Sequence, residues 1–217
     1  MNIEQARFNM IEQQIRPWDV LDSAVLSLLA AVRREDFVPA AYRAMAFVDT
    51  EVPLPDGQVM LAPRVEARLL QELSLHKHER VLEIGAGSGF MAALLAHRSQ
   101  HVTALELRPA LARMASQNLR RAGVMNALVR ELDGAPGLPA EAPFDAIVLS
   151  GSVAAVPQHL LDQLKVGGRL IAIVGQAPVM QAVLYTRGSD QGCASEILFD
   201  TVAPRLSGFD EPSRFRF

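Results

Sequence analysis

The chain has 217 residues, and 50% of them are hydrophobic, which is enough for one sizeable buried core with at most a small appendage. Its formal net charge of −3 argues against a nucleic-acid-binding protein, because such proteins usually present a basic face. The one cysteine, Cys193, fits a reducing compartment, and no apolar run has the roughly 18–20 residues of a membrane helix, so we expect a cytoplasmic protein with no membrane partner.

The amino-terminal part predicts helices with an irregular connector between them. Asp22 or Ser23 can cap a helix over residues 24–32, whose apolar side chains are dense enough to pack on two sides. Residues 51–57 are rich in proline and glycine, which excludes a helix or a central strand there. A further helix is predicted over residues 64–75.

From Arg80 onward, short β-branched runs alternate with helical stretches. Continuously apolar strands separated by helices indicate a parallel sheet covered on both faces, that is, a doubly wound, Rossmann-like α/β fold. The last two strands are joined by a loop too short for a crossover and should form an antiparallel hairpin. The predicted strands are residues 80–84, 101–106, 127–131, 144–149, 169–174, 182–186 and 197–202. We therefore divide the chain into a helical, substrate-side segment (residues 1–78) and an α/β domain (residues 79–217).

The most informative segment runs from Val81 to Phe90, where a predicted strand enters a glycine-rich turn and a helix begins. Ligands of open α/β folds bind at this carboxyl edge of the sheet. A dinucleotide-binding loop needs a third glycine where this chain has Phe90, and the acid Glu83 would repel a pyrophosphate. The pattern Glu-x-Gly-x-Gly-x-Gly instead favours S-adenosyl-L-methionine, whose cationic end Glu83 complements. A nicotinamide or flavin cofactor, or a glycine turn without a ligand, remains the alternative.

Two later acids support a nucleoside ligand. Glu106 ends the second strand of the α/β part, where a carboxylate can accept hydrogen bonds from both ribose hydroxyls. Asp133, followed by Gly134, is placed to accept from an adenine amino group, although Asp-Gly is also a common turn. The predicted cofactor-binding residues are Glu83, Ile84, Gly85, Ala86, Gly87, Ser88, Glu106, Leu107, Asp133 and Gly134. The histidine spacing predicts no metal site.

Several of these segments resemble the protein-L-isoaspartate O-methyltransferase family, over nearly the whole chain. They are the glycine loop, Asp133-Gly134, residues 144–148 and 164–170, and, more specifically, the helical region at residues 32–39 and 42–49. The resemblance implies a methyltransferase that acts on the carboxylate of isoaspartyl residues in damaged proteins and so starts their repair. It places the family's cofactor contacts on Glu83, Gly85, Gly87, Ser88, Glu106, Asp133 and Gly134.

One stretch departs from the family pattern. After Gly57-Gln58 the family has Thr-Ile-Ser, one further residue and Pro, whereas this chain reads Val-Met-Leu-Ala-Pro over residues 59–63. Leu61 thus occupies the place of the family's active-site serine, and the sequence predicts no catalytic side chain of its own. A carboxylate acceptor is ionised at pH 7 and needs no general base, so methyl transfer is not excluded.

Three functional hypotheses follow. The first is a carboxyl methyltransferase for isoaspartyl proteins or peptides, and the second is a diverged methyltransferase for a small or apolar acceptor. The third is a non-catalytic S-adenosylmethionine-binding protein. The closing residues 214–217 have no motif and predict an exposed tail.

Overall fold

A computed structural model describes residues 2–189 and 192–210 of the chain, so the tail predicted at residues 214–217 lies outside the described residues. The α-helices α1 to α6 cover Ile3–Met10, Ser23–Ala31, Pro63–Leu73, Phe90–Arg98, Pro109–Arg121 and Gln158–Leu161. The strands β1 to β9 cover Val52–Pro53, Val59–Met60, Arg80–Ile84, His101–Glu106, Ala127–Glu131, Phe144–Val153, Leu164–Gln176, Val179–Arg187 and Cys193–Asp200.

The strands β3 to β9 form one seven-stranded sheet in the order β5-β4-β3-β6-β7-β8-β9. The four pairings β5-β4, β4-β3, β3-β6 and β6-β7 are parallel, whereas β8 is antiparallel to both of its neighbours. This arrangement confirms the mostly parallel sheet with an antiparallel carboxyl-terminal hairpin. The chain order reverses between β3 and β6, and the crevice outside such a switch point is where open α/β sheets bind ligands.

The sheet buries both of its faces, as its continuously apolar strands predict. Along β3, Val81 packs into one hydrophobic cluster and Leu82 into the other. The first cluster also contains buried side chains of α2 to α5, and the second contains Leu160 of α6. Helices therefore cover both faces, which confirms the doubly wound fold.

The predicted helices of the amino-terminal segment are present. Asp22 caps α2 by accepting a hydrogen bond from the backbone N–H of Ala24 at 2.7 Å. Phe37 packs edge-on against Phe90, with 5.4 Å between ring centroids, so this segment shares the first hydrophobic cluster with the α/β part. The division of the chain at residue 78 stays a prediction.

The connector at residues 51–57 is more regular than the sequence indicates. It contains β1, which pairs antiparallel with β2 through Pro53 and Val59, and a 3-10 turn over Pro55–Gly57 joins the two. Neither two-residue strand belongs to the main sheet, so the exclusion of a central strand holds. In the part of the chain that the structure describes, no helix has both the length and the apolar surface to cross a membrane.

Candidate cofactor and acceptor site

The turn after β3 needs glycine at alternate positions. Gly85, Gly87 and Gly89 have φ angles of +90°, +52° and +83°, a region that residues with a side chain rarely adopt. A Cβ at Gly89 would also lie 3.1 Å from the main chain of Ala115 in α5. The glycines therefore allow a tight turn into α4 and a close approach of α5 to the loop.

Glu83, near the end of β3, is a fully buried carboxylate with one free oxygen. Its Oε1 accepts a hydrogen bond from the Ser150 hydroxyl at 2.8 Å, whereas its Oε2 is buried without a partner. Burial, with a contribution from the nearby carboxylates of Glu66 and Glu106, raises the pKa of Glu83 to about 8 against the opposing Ser150 hydrogen bond. Because a buried charge is costly unless it is paired, this oxygen suits a cationic ligand group such as an ammonium.

Glu106 ties the glycine loop to the end of β4. Its Oε2 accepts from the backbone N–H of Gly87 at 2.9 Å, and its Oε1 accepts from that of Arg108 at 3.0 Å. A carboxylate offers about four lone-pair sites, so Glu106 retains acceptor capacity for ribose hydroxyls. Leu107 follows it and is 42% exposed.

The Asp133-Gly134 pair forms the turn that the sequence also allowed. Asp133 Oδ1 accepts from the backbone N–H of Ala135 at 3.0 Å, two residues on. Gly134 lies against Ile84, because a Cβ there would come within 2.4 Å of the Ile84 side chain. Gly134 lines the cavity beside Glu106, while the adenine contact of Asp133 stays a prediction.

Two small adjoining cavities bring most of the predicted residues together. One, of about 60 Å³, is lined by Ile84, Gly85, Gly87, Glu106, Leu107 and Gly134, among others. The other, of about 20 Å³, is lined by Leu61, Glu83, Gly85, Ala86, Gly87 and Ser88, among others. Shared walls at Gly85, Gly87 and Ser150 make them parts of one site.

A carboxyl-terminal strap, defined as residues 203–210, crosses this site, and no pattern in the sequence predicts it. The Leu206 backbone N–H donates to the Ser152 carbonyl at 2.9 Å, and the Ser152 N–H donates to the Pro204 carbonyl at 2.8 Å. The guanidinium of Arg108 donates a 3.1 Å hydrogen bond to the hydroxyl of Ser207, the residue after Leu206. Both Leu206 and Ser207 therefore line the cavity at Glu106.

An open cleft of about 760 Å³ adjoins the cofactor cavities at Leu61, which lines both. On one wall, Arg64 pairs with Asp49 at 2.8 Å, and its guanidinium lies over the ring of Trp18 at 3.9 Å. The opposite wall includes Met180 and comes from the last hairpin. Sequence reasoning identified Leu61, but the roles of Asp49 and Arg64 in the cleft emerge only from the packing.

Sequence comparison identifies the family. A family model described as protein-L-isoaspartate(D-aspartate) O-methyltransferase matches residues 5–201. Protein-L-isoaspartate O-methyltransferase 1 of Syntrophobacter fumaroxidans is 40% identical over 190 residues, which cover 88% of this chain and 89% of the relative. Protein-L-isoaspartate O-methyltransferase of Methanoculleus marisnigri is 43% identical over 169 residues, covering 78% and 77%.

Structure comparison gives the same fold. A Plasmodium falciparum protein-L-isoaspartate O-methyltransferase, solved in complex with S-adenosyl-L-homocysteine, matches with a TM-score of 0.79 at 21% identity. The match covers 95% of this chain and 99% of that one. The family match, the glycine turn and the free oxygen of Glu83 disfavour the dinucleotide alternative. The chain belongs to the protein-L-isoaspartate(D-aspartate) O-methyltransferase family and is an S-adenosyl-L-methionine-dependent O-methyltransferase.

Proposed function

We propose that this enzyme methylates the carboxylate of an isoaspartyl residue in a protein or peptide. The names of the relatives support this acceptor. The observation that carries the proposal is the position of Leu61, which lines both the open cleft and the cavity at Glu83. An acceptor bound in the cleft therefore approaches the cofactor at this junction, and the cleft is open enough to admit a chain segment.

The bound cofactor supplies an electrophilic methyl carbon on a sulfonium. A carboxylate acceptor has a usual pKa near 4 and is ionised at pH 7, so no protein group has to remove a proton. The protein then has to position two ligands and exclude water. In this scheme Glu83 binds the ammonium, Glu106 binds the ribose, and Asp133 with Gly134 borders the adenine. Leu61 covers the junction without hydrogen-bonding the acceptor.

Methyl incorporation into an isoaspartyl peptide and into its aspartyl twin tests the proposal. The two peptides have the same composition and differ only at one linkage, so the aspartyl form is the matched control. We expect incorporation into the isoaspartyl form well above that into the twin. Equal incorporation at background level would contradict the isoaspartyl acceptor and leave the cofactor assignment intact.

A second acceptor class, small or apolar, is favoured by Leu61 itself. The side chain is 6% exposed and stands where the family has a hydroxyl, so it offers no hydrogen bond at this position. Losing one such bond typically costs about 1–3 kcal/mol, or roughly tenfold to more than a hundredfold in rate. The second candidate is therefore a methyltransferase for a less polar acceptor.

Leu61→Ser combined with Val59→Thr separates the two candidates. If residues 59 and 61 alone have shifted the enzyme towards a less polar acceptor, the double variant should raise isoaspartyl turnover by about tenfold to a hundredfold. Leu132→Ser, at a position 44% exposed, is the control for adding a serine elsewhere. Unchanged turnover in the double variant would contradict a simple change at this wall. Absence of methylation over a broad acceptor panel would favour the non-catalytic hypothesis.

We also propose a cytoplasmic location. The sequence contains a single cysteine, and a reducing compartment neither requires nor maintains disulfides. Fractionation of cells that express the tagged chain, with enzymes of known compartment as markers, tests this proposal.

A further inference from the structure

A second buried carboxylate shares the smaller cavity with Glu83. Glu66 belongs to the first turn of α3, is 4% exposed, and lines the cavity of about 20 Å³ together with Glu83 and Leu61. The features of the sequence that point to a cofactor do not include Glu66. Its burial beside the cofactor loop requires an explanation, because an ionised carboxyl group is costly to bury without a partner.

The partner of Glu66 lies behind it, away from the cavity. Arg34 is 1% exposed and approaches Glu66 Oε2 at 3.4 Å, while its shorter hydrogen bonds go to the carbonyls of Leu61 at 2.5 Å and Ala46 at 3.2 Å. Glu66 lines the cavity, whereas Arg34 is not among the lining residues. A ligand in the cavity therefore contacts the carboxylate of Glu66, and this carboxylate separates the ligand from the guanidinium of Arg34.

The two joined cavities contain more buried carboxyl groups than cationic partners for them. Three glutamates, Glu66, Glu83 and Glu106, are each at most 4% exposed. Among the described residues, Glu66 forms an ion pair with Arg34, and the other two form none. Burial raises the pKa of Glu66 to about 7 against the opposing charge of Arg34, and that of Glu83 to about 8. A cationic ligand would favour the ionised form of these carboxyl groups and would be held by it.

The position of Glu66 indicates which cation it faces. S-adenosyl-L-methionine has an ammonium and a sulfonium, and S-adenosyl-L-homocysteine has the ammonium alone. The unpartnered oxygen of Glu83 suits the ammonium, which both ligands share. The reacting methyl group has to face the acceptor cleft at Leu61. Glu66 lies in the first turn of α3, where Arg64 and Val65 line that cleft and Glu66 lines the cavity.

We propose that Glu66 is a specificity-determining residue that makes the site favour the sulfonium form of the cofactor over its product, which lacks the sulfonium charge. The effect is electrostatic, because an opposite charge at short range inside a protein is screened far less than in water. Methyl transfer removes the sulfonium charge, so the attraction of Glu66 acts on the substrate and is lost in the product. The proposal holds for any methyl acceptor.

Calorimetric titration of Glu66→Gln with both ligands tests the proposal. Gln can still accept a hydrogen bond from Arg34 but has no charge. We expect the affinity for S-adenosyl-L-methionine to fall about tenfold or more, and that for S-adenosyl-L-homocysteine to change less than about threefold. Retained binding of S-adenosyl-L-homocysteine also shows that the site is folded. Glu66→Asp keeps the charge and should keep the wild-type ratio of the two affinities.

A double variant covers the case in which Glu66→Gln fails to fold with Arg34 unpaired. Arg34→Met with Glu66→Leu replaces the whole buried pair, a change that is often neutral for stability. It should show the same selective weakening, because the carboxylate facing the cavity is gone. An unchanged ratio of affinities in either charge-removing variant, an equal loss for both ligands, or the same change in Glu66→Asp would overturn the proposal.

Discussion

At the scale of single residues, the site depends on a carboxylate that is fully removed from water. Glu83 has one oxygen bonded to Ser150 and one without a partner, at the point where β3 enters the glycine turn. Such a group destabilises the ligand-free protein whenever it is ionised, and it stabilises the complex with a cation. Its usefulness for binding and its effect on stability thus have the same cause.

Glu83→Gln should raise the free energy of unfolding of the ligand-free protein at high pH and change it little below about pH 4. The folded-state pKa is raised to about 8 from its usual 4.5, so the folded protein binds the proton more tightly than the unfolded chain does. Stability of the wild type therefore falls as pH rises from about 4.5 to about 8, and the variant lacks this fall.

Urea unfolding between pH 4 and pH 9 measures this difference. The exposed Glu131→Gln is the matched control and should show no comparable pH-dependent gain. The same Glu83 variant should lose affinity for S-adenosyl-L-methionine in calorimetry. Equal stability of wild type and Glu83→Gln at pH 9 would show that Glu83 is not a destabilising buried charge.

At the scale of elements, β6 continues four residues past its predicted end at residue 149, and there it contacts both β7 and the strap. Ser152 pairs with Ile173 of β7 and also exchanges backbone hydrogen bonds with Pro204 and Leu206. Both contacts hold β6 beyond the apolar run that the sequence shows. The Leu206 side chain lies 2.7 Å from where a Cβ on Gly85 would be. The cavity beneath it measures about 60 Å³. Ligand pockets usually measure about 300–1,000 Å³, so we expect the strap over this cavity to move when a nucleoside binds.

Leu206→Ala should speed the association of S-adenosyl-L-homocysteine and tighten its binding several-fold. The smaller side chain leaves room over Gly85, so less of the strap has to be displaced when the ligand enters. Stopped-flow fluorescence and calorimetry measure the two quantities, with the 67% exposed Leu21→Ala as control. Slower association with weaker binding would mean that Leu206 contacts the bound ligand instead.

At the scale of the whole molecule, Arg169 of β7 joins the amino-terminal helices to the sheet. Its Nε donates to the carbonyl of Leu73 at the end of α3 at 2.7 Å. Its two terminal nitrogens bind the carboxylate oxygens of Glu79 at 2.8 and 2.9 Å. Although Glu79 is desolvated, Arg169, the His76 N–H and the positive charges nearby hold its pKa below the usual value. The cleft and the cofactor cavities lie between the parts that this contact holds together.

Arg169→Met should lower the free energy of unfolding by about 2–4 kcal/mol at pH 7, because charged hydrogen bonds each contribute about 1.5–3 kcal/mol and are not additive. A lowered carboxyl pKa stabilises the fold above the unfolded pKa, and this stabilisation is lost as pH falls through the folded value. The difference from wild type should therefore shrink below about pH 4. Urea unfolding at pH 7 and pH 3 measures it.

Arg43→Met is the matched control for Arg169→Met, since its pair with Asp36 is exposed on both sides. Exposed ion pairs contribute about 0–1 kcal/mol, so this variant should unfold almost like the wild type. Equal effects of the two substitutions would contradict the role of Arg169 in joining the two parts of the chain.

The sequence by itself determined the features that local chemistry controls. Periodicity and apolar runs predicted the order of strands and helices, and the spacing of glycines after Glu83 predicted the cofactor turn, because each follows from backbone and side-chain preferences within a few residues. Leu61 was identified by the resemblance to the family pattern and not by local preferences. These predictions needed no knowledge of distant contacts.

Only the tertiary structure decided which distant residues meet. The strap reaches Gly85 from more than a hundred residues away in the chain. Glu66 lines the same cavity as Glu83, although no sequence motif links the two residues. Burial also changes how readily these carboxyl groups ionise, because removing Glu66 and Glu83 from water raises the pKa of both. Desolvation and long-range packing depend on the complete fold, so residue types and local spacing do not contain them.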